Sequence, residues 1–424
     1  MSAIIEKFGA VLDQKALTDP AASRRLLVAG LEAFGLKLRW KPDPRLPQSR
    51  RYVAQLLNRS VIATLKQPQQ AALTSVYLPS ELLWAMGLRP MCAELYSAFL
   101  NGAGAEHGFV EAAEAAGIPE TYCSYHKVLM GSAATGVLPR PAVIANTSLA
   151  CDANNLTFAA LAKQYGVPHF YVDVPPDDSA ASLAYVADEL REMGAFLERT
   201  TGRTLSPERL RTALVHTQNT IENFRAVLPL RRERSLPGDV TSEMYEIYTT
   251  HIALGTPEAE RYSRLLRDDF AAAPPAHGLR LLWIHTIPFW QAPVRDTFNF
   301  SDRVQVVSCD MNFESLVDTD PDRPYESMAR RLVESSWNGS GERRIAAALA
   351  MAKTLRADGV VCFCHWGCKQ TMGISARCKK ELEAAGFPTL ILNGDGCDRG
   401  NSSDGQIATR VNAFLEMLEG QAHA

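Results

Sequence analysis

Hydrophobic positions along the chain follow two periodicities, and their order predicts four regions. Residues 1–70 carry apolar side chains at helical spacing, in SRRLLVAGLEAFGLKL and RRYVAQLLNRSVIATL, with a proline-rich connection between them. Residues 71–180 and 276–424 instead alternate short apolar runs with helical segments, which is typical of parallel βαβ units. Residues 181–275 return to long amphipathic helices. The pattern predicts an α/β protein with two doubly wound parallel-sheet domains, flavodoxin- or Rossmann-like, and helical N-terminal and inter-domain segments.

The two α/β regions resemble each other in sequence. VIANTSLAC (143–151) and VVCFCHWGC (360–368) are each an apolar strand and loop that end in cysteine at the ninth place. Each is followed by a helix, by G-V-P or G-F-P, and by a strand that closes on Asp173 or Asp395. A cysteine at the same place in both regions favours an internal duplication of one doubly wound domain.

Composition narrows the classes of protein and partner. The 424 residues are 46% hydrophobic and 21% charged, with a formal net charge of -3, which gives no electrostatic reason to expect nucleic acid or a membrane surface as a partner. The first residues break their apolar stretch too early for a secretory signal, and no apolar run approaches the roughly 20 residues that span a bilayer. We expect a cytoplasmic protein. No Walker-type phosphate loop is present, so we expect no ATP hydrolysis by the chain itself.

Six of the nine cysteines are expected to lie where ligands bind. In open parallel sheets this place is outside the carboxyl ends of the strands. The six candidate ligands are Cys123, Cys151, Cys309, Cys364, Cys368 and Cys397. Cys123 follows a short turn and is expected to open a helix, whose positive end favours a thiolate. The other three are interpreted mainly as packing residues: Cys92, after the turn LRPM, Cys362 and Cys378.

Several kinds of chemistry fit thiols at such positions. Cys364, His365 and Cys368 could form a zinc knuckle, but no second closely spaced pair completes a zinc ribbon or finger. Ferredoxin spacing is also absent, which leaves an iron–sulfur site assembled from distant loops. Catalytic thiol chemistry stays open, because His126 and Lys127 closely follow Cys123.

Several segments resemble one known family. They are YLPSELLWAMGLRP (77–90), CSYHKVLMG (123–131), ACDANNLTFAALAKQYGVPHFYVDVP (150–175), the CHWGCKQ segment and TRVNAFLEML (409–418). Together they resemble the D-component of the 2-hydroxyacyl-CoA dehydratase and benzoyl-CoA reductase superfamily. The resemblance implies a 4Fe-4S cluster between two α/β domains, held by Cys123, Cys151 and Cys368. It also implies an ATP-hydrolysing iron–sulfur activator homodimer as electron donor and, in the dehydratases, a ketyl radical of the substrate thioester that expels the hydroxyl group.

A surplus of cysteines departs from the dehydratase pattern. Cys364 and Cys397, with Cys309 chosen as the sixth ligand, complete the six thiolates of the double-cubane branch of this superfamily. Resemblance to that branch implies an 8Fe-9S double-cubane cluster, a homodimer, an ATP-dependent reductase partner and a small-molecule substrate. Our lead hypothesis is therefore an oxygen-sensitive double-cubane reductase, and the alternative is a 2-hydroxyacyl-CoA dehydratase subunit with one 4Fe-4S cluster. A third hypothesis is a non-catalytic electron carrier or a zinc-stabilised binding protein.

Two histidines are the candidate catalytic residues. His365 lies between two expected ligands and could donate a proton or hydrogen-bond a cluster sulfide, or only satisfy backbone groups. His126 could tune the cluster or lie on a solvated helix face.

Overall fold

The N-terminal region is a group of three helices. The computed structural model describes residues 3–314 and 316–422. The first helices are α1 (Ala3–Thr18), α2 (Pro20–Trp40) and α3 (Gln48–Lys66). Asp19 begins α2 by accepting a hydrogen bond from the Ala22 N–H, with Pro20 at the first helical position. The apolar faces of all three helices pack into one core below the first sheet, through residues such as Leu12 and Leu31.

The first sheet is parallel and covered on both faces. Its elements are β1 (Ala71–Thr74), α4 (Glu81–Ala85), β2 (Arg89–Cys92), α5 (Ala93–Gly102), α6 (His107–Ala115), α7 (Ser124–Ala134), β3 (Val143–Thr147), α8 (Asp152–Tyr165), β4 (His169–Val172) and α9 (Ala180–Thr201). The strand order is β2-β1-β3-β4. β1 and β3 are buried along their whole length, as strands covered by helices on both faces require.

Three long helices connect the sheets: α10 (Pro207–Glu233), α11 (Val240–Thr250) and α12 (Pro257–Ala272). Each begins with a side-chain cap, from Ser206, Asp239 and Thr256 respectively. A buried ion pair joins the first two, with Arg231 Nη2 at 2.5 Å from Glu246 Oε1.

The second sheet repeats the topology of the first. Its elements are β5 (Leu279–Ile284), α13 (Ala292–Phe298), β6 (Val304–Cys309), α14 (Pro324–Val333), α15 (Gly341–Thr354), β7 (Gly359–His365), α16 (Lys369–Ala384), β8 (Thr389–Gly394) and α17 (Asp404–Ala422). The strand order β6-β5-β7-β8 is the order of the first sheet, and all pairings are parallel. The predicted α/β fold with two doubly wound parallel sheets is confirmed, and the equal order supports the internal duplication.

Alternation along β7 decides which way its cysteines face. Val361 and Phe363 lie in the core on one face of the sheet, while Cys362 packs with Cys378 in the core on the other. The interpretation of Cys362 and Cys378 as buried packing residues is confirmed.

One prediction of local structure was wrong. Residues 88–91 (LRPM) were expected to form a turn before Cys92, but residues 89–92 form β2, and Cys92 ends this strand. The strand was not predicted because it has only four residues, like its partner β1, and because proline at its second position is unfavourable in most strands. In the described part of the chain, no helix has both the length and the apolar character needed to cross a membrane.

Candidate metal centre

The carboxyl ends of both sheets open into one cavity of about 1310 Å³. Residues after seven of the eight strands line it: Tyr77, Glu94, Cys151, His285, Met311, Cys368 and Asp395. Helices α1, α2, α5 and α11 extend the cavity with an arm that is largely apolar. The arm includes Phe8, Leu31, Phe34, Leu95, Phe99, Met244, Tyr245 and Phe289.

Three of the predicted ligands meet at this cavity. Cys123, Cys151 and Cys368 all line it, and each is the residue immediately before the first turn of a helix, α7, α8 and α16 respectively. None of the three caps its helix with a side-chain hydrogen bond. The N–H groups and the positive end of each helix therefore favour negative charge at the three sulfur atoms.

The backbone before two of these cysteines repeats a special geometry. Ala150, just before Cys151, has φ 65°, and Gly367, just before Cys368, has φ 80°. Both are in the left-handed region, so the two halves of the duplication turn the chain in the same way to present the thiol. A Cβ on Gly367 would lie 2.7 Å from the backbone nitrogen of Cys123. The CHWGC loop thus packs directly on the backbone of the third cysteine.

Burial makes the positions of Cys123 and Cys151 unsuitable for free thiolates. It raises the pKa of the Cys123 thiol well above its ordinary value, and the charges of Cys151 and Cys368 raise it further. Burial, with the nearby Glu94 and Cys368, likewise raises the pKa of Cys151 to about 12. Three thiolates this close need a positive centre that binds them. Soft sulfur donors from three separate elements fit an iron–sulfur cluster, whose irons each take one thiolate.

Both predicted histidines contact these cysteines. His365 Nδ1 accepts a hydrogen bond from the Gly396 N–H at 3.0 Å, so its proton is on Nε2, which lies 3.4 Å from Cys123 Sγ. His126 Nε2 lies 3.8 Å from Cys151 Sγ. Burial and the neighbouring His365 lower the pKa of His126 to about 3, and burial also lowers that of His365. Both rings are therefore neutral at pH 7, and His365 donates an N–H to sulfur.

The other three predicted ligands lie away from the cavity. Cys309 is fully buried, and its thiol donates to the His285 carbonyl at 3.1 Å. Cys397 is also fully buried, and its thiol donates to the Ser97 carbonyl at 3.7 Å. Cys364 is on the face of β7 that α15 and α16 cover, the face of Cys362.

Two of these three remain close to the cysteines that line the cavity. The charge of Cys123 contributes to the raised pKa of Cys397, after burial and the carboxylates of Asp395 and Glu106. Burial and the charge of Cys368, among others, raise the pKa of Cys364. For Cys309, burial and Asp310 dominate, and no cysteine contributes.

The zinc knuckle considered from the sequence is not formed. Cys364 and His365 are neighbours in β7 and face opposite sides of the sheet, so they cannot bind one ion together with Cys368. Among the residues that the structure describes, no three His, Cys, Asp or Glu side chains are close enough to share a single metal ion.

The Cys123–His126–Lys127 arrangement expected for thiol catalysis is also not formed. Lys127 is buried and binds Glu114 Oε1 at 2.7 Å and a backbone carbonyl, and His126 faces Cys151 instead of Cys123.

Sequence reasoning missed several residues of the cavity, of which Glu94 is the most reactive. Its carboxyl group lines the cavity two residues after β2 and accepts a hydrogen bond from Cys92 Sγ at 3.3 Å. Burial raises the pKa of Glu94 above its ordinary value. Its position just after a strand could have identified Glu94 from the sequence, but β2 itself was not predicted. Cys92, assigned to packing, lines the cavity as well.

Known proteins match the chain over most of its length. Residues 75–418 match the family model described as 2-hydroxyglutaryl-CoA dehydratase, D-component. The lactoyl-CoA dehydratase subunit alpha of Anaerotignum propionicum is 24% identical over 379 residues, covering 80% of this chain and 89% of that protein. The (R)-phenyllactyl-CoA dehydratase alpha subunit of Clostridium sporogenes is 19% identical over 368 residues, covering 82% of this chain and 89% of that protein.

Proposed function

The chain belongs to the 2-hydroxyglutaryl-CoA dehydratase D-component family, and we propose that it is the cluster-binding subunit of an iron–sulfur 2-hydroxyacyl-CoA dehydratase. One observation carries this proposal: Cys123, Cys151 and Cys368, each at a helix N-terminus, converge on one cavity between two sheets. These three thiolates would hold a 4Fe-4S cluster at the cavity, where the substrate would bind beside it.

The residues around the cavity would have separate roles in the reaction. Bound there, the cluster supplies one low-potential electron to the acyl thioester. His365 would donate its Nε2–H to Cys123 Sγ, and such hydrogen bonds to ligand sulfur tune the potential of a cluster. Glu94, whose pKa is raised by burial, would supply a proton to the departing hydroxyl group.

The proposal includes two partners. The electron would come from an ATP-hydrolysing iron–sulfur activator, because the chain has no phosphate-binding loop of its own. The two relatives are named as alpha subunits, which favours a related second subunit beside this chain over the homodimer expected for the double-cubane branch.

A double-cubane reductase is the second candidate, and the positions of Cys364 and Cys397 favour it. Each lies within electrostatic reach of a cysteine that lines the cavity. The end of β7, which holds Cys364, and the loop after β8, which holds Cys397, would have to rearrange to bring both thiols to the cavity surface. The single cubane takes precedence because its three thiols already line the cavity.

Iron and acid-labile sulfide, measured on anaerobically purified protein, test the proposal. One cubane predicts about four irons per chain and two cubanes predict about eight. The dehydratase should also turn over a 2-hydroxyacyl-CoA when activator, ATP and reductant are supplied. Absence of labile sulfide, or a cluster that supports no turnover of any thioester in a panel, would favour the zinc-stabilised protein or the electron carrier.

Serine variants test the ligand set. Cys368→Ser should lose most of the iron, while Cys378→Ser, which replaces a buried thiol on the same helix away from the cavity, should keep it. Cys364→Ser and Cys397→Ser should keep about four irons under the first candidate. Loss of iron in these two variants would support the double cubane instead.

A further inference from the structure

Three polar groups on one wall of the cavity have no hydrogen-bond partner among the described residues. They are the Tyr77 hydroxyl, the Trp337 indole N–H and both ring nitrogens of His285. All three side chains line the cavity and are more than nine-tenths buried, with 8%, 5% and 7% of their surface exposed. Buried donors without partners are costly, so three together indicate a place where a ligand supplies the acceptor.

The three rings form one continuous wall. The centroid of the Trp337 ring lies 5.7 Å from that of His285 and 5.7 Å from that of Tyr77. His285 lies 6.0 Å, between centroids, from His365, which contacts Cys123. The wall therefore begins beside the proposed metal ligands.

Charged residues behind the wall hold it in place. The Arg344 guanidinium stacks on the Trp337 ring, 3.4 Å from its centroid, and pairs with Asp310 at 2.7 Å. Asp310 in turn accepts a hydrogen bond, of 2.7 Å, from the backbone N–H of His285. His285 has a left-handed backbone (φ 76°), a strained conformation for a non-glycine residue that needs such support. Two of the three donors are thus fixed without using their ring N–H groups.

We propose that Tyr77, His285 and Trp337 form a hydrogen-bonding pocket that holds the uncharged thioester carbonyl oxygen of the acyl group beside the metal ligands. This inference rests on the proposed function and deepens it, because it assigns residues to substrate binding. The apolar arm next to the pocket then receives the side chain of the acyl group.

The charges of the cavity indicate the class of acyl group. The carboxylates that line it are Glu94, Glu120, Asp152 and Asp395, and the cations are Arg295, Lys369 and Arg399. Arg399 pairs with Glu106 and Arg295 donates to backbone carbonyls, whereas Lys369 is exposed to solvent and lies 3.7 Å from Asp152, so it supplies no buried positive charge to the cavity. A second carboxylate on the substrate would find no unpaired cation among the described residues of the cavity. The pocket therefore selects acyl groups with an apolar side chain over dicarboxylic ones.

Binding of unreactive thioesters tests this directly. 4-Methylpentanoyl-CoA and glutaryl-CoA lack a 2-hydroxyl group and cannot be dehydrated, so calorimetry on cluster-loaded protein reads affinity without turnover. Tyr77→Phe and Trp337→Phe each remove one donor and keep an aromatic ring. Each should weaken 4-methylpentanoyl-CoA binding by about 3- to 10-fold, the effect of one lost hydrogen bond. The wild type should bind glutaryl-CoA about tenfold more weakly than the apolar thioester, or weaker still.

Tyr185→Phe is the matched control, because Tyr185 is exposed on α9 and does not line the cavity, so its variant should bind like the wild type. Iron content and melting temperature, measured on every variant, identify a loss of fold. If one variant does not fold, the inference is tested by the affinity of the other variant and by the wild-type affinities for the two thioesters. Unchanged affinity in the folded variants, or equal affinity for glutaryl-CoA, would overturn the inference and leave the proposed function standing. Absence of binding to any thioester would instead contradict the proposed function itself.

Discussion

At the scale of single residues, the site combines thiols that accept charge with groups that keep their protons. Burial raises the pKa of Cys123, Cys151 and Glu94 together, so in the protein alone the two thiols stay protonated at neutral pH, and the Glu94 carboxyl group holds its proton more tightly than an exposed carboxyl group does. A bound cluster takes the sulfur atoms as thiolates and removes their protons. Glu94 has no such partner and remains the acid of the site.

Glu94→Gln tests the role of this proton. Glutamine has the same shape and cannot supply the proton, so turnover should fall by about 10²-fold or more. Iron content should remain as in the wild type, because Glu94 is not a proposed ligand. Unchanged turnover would assign the proton to another group, and parallel loss of iron would make Glu94 a structural residue.

At the scale of elements, the two helices that begin after β3 and β7 present their cysteines by the same turn. The left-handed residue before the cysteine is Ala150 in one half and Gly367 in the other. Alanine is tolerated in the first half, so the backbone angle alone does not require glycine. At Gly367 the contact with the Cys123 backbone does require it.

Gly367→Ala should separate these two effects when compared with Gly386→Ala. Gly386 also has a positive φ, of 89°, but a Cβ there meets nothing within 4 Å. We expect Gly386→Ala to cost about 1 kcal/mol through its backbone angle alone. Gly367→Ala should cost about 2 kcal/mol or more and also lower the iron content, because Cys123 has to move. Equal losses of melting temperature, with full iron in both, would contradict the proposed packing of the loop.

Site residues could be predicted from the sequence where they lie in one contiguous segment, and could not where only tertiary packing brings them together. The strand-loop-cysteine unit could be recognised twice because each copy is contiguous, and position in the unit identified Cys151 and Cys368 as neighbours. Tyr77 and Trp337 could not be recognised as part of the site, because 260 positions separate them and only the packing of α14 brings them together. The directions of Cys364 and Cys397 depend on strand faces and loop geometry, which spacing along the chain does not encode.

The contact between helices α1 and α6 makes the stability of the fold depend on pH, through Asp13. Burial against α6, with the charges of Glu106 and Glu111, raises the pKa of Asp13 to about 6, from 3.8. Its proton is therefore bound more tightly in the folded state, so this residue makes stability fall as pH rises from about 4 to 6. Asp13→Asn should be more stable than the wild type at pH 7.5 by about 1–2 kcal/mol, allowing for solvent screening. Thermal unfolding should show this advantage shrinking by about half at pH 5, and an advantage that grows on acidification would refute the assignment.

At the scale of the whole molecule, a buried ion pair between Arg331 and Glu81 ties the second half of the chain to the first sheet. α14 follows β6 in sequence but packs on α9, beside β3 and β4, and its Met328 and Leu332 share a core with Val143. Arg331 on α14 makes two hydrogen bonds of 2.7 Å to the carboxylate of Glu81 on α4. Both side chains are buried. Burial opposes ionisation of Glu81, but Arg331 holds its pKa below the ordinary value.

Arg331→Met should therefore be among the most damaging changes outside the cavity. It leaves a buried carboxylate without its cation, at a cost of about 3–5 kcal/mol, and the double variant with Glu81→Leu should recover much of this loss. Arg191→Met is the matched control, since Arg191 joins α9 to Glu326 on α14 through an exposed pair worth about 0–1 kcal/mol. Chemical unfolding measures all three variants.

The same pair should also affect the substrate pocket, because α14 ends four residues before Trp337. If the ion pair positions the aromatic wall, folded Arg331→Met protein should bind 4-methylpentanoyl-CoA more weakly, and the double variant should regain affinity together with stability. Recovery of stability without recovery of affinity would show that Trp337 is held by Arg344 and Asp310 alone. Equal losses of stability in Arg331→Met and Arg191→Met would show that burial does not distinguish the two pairs.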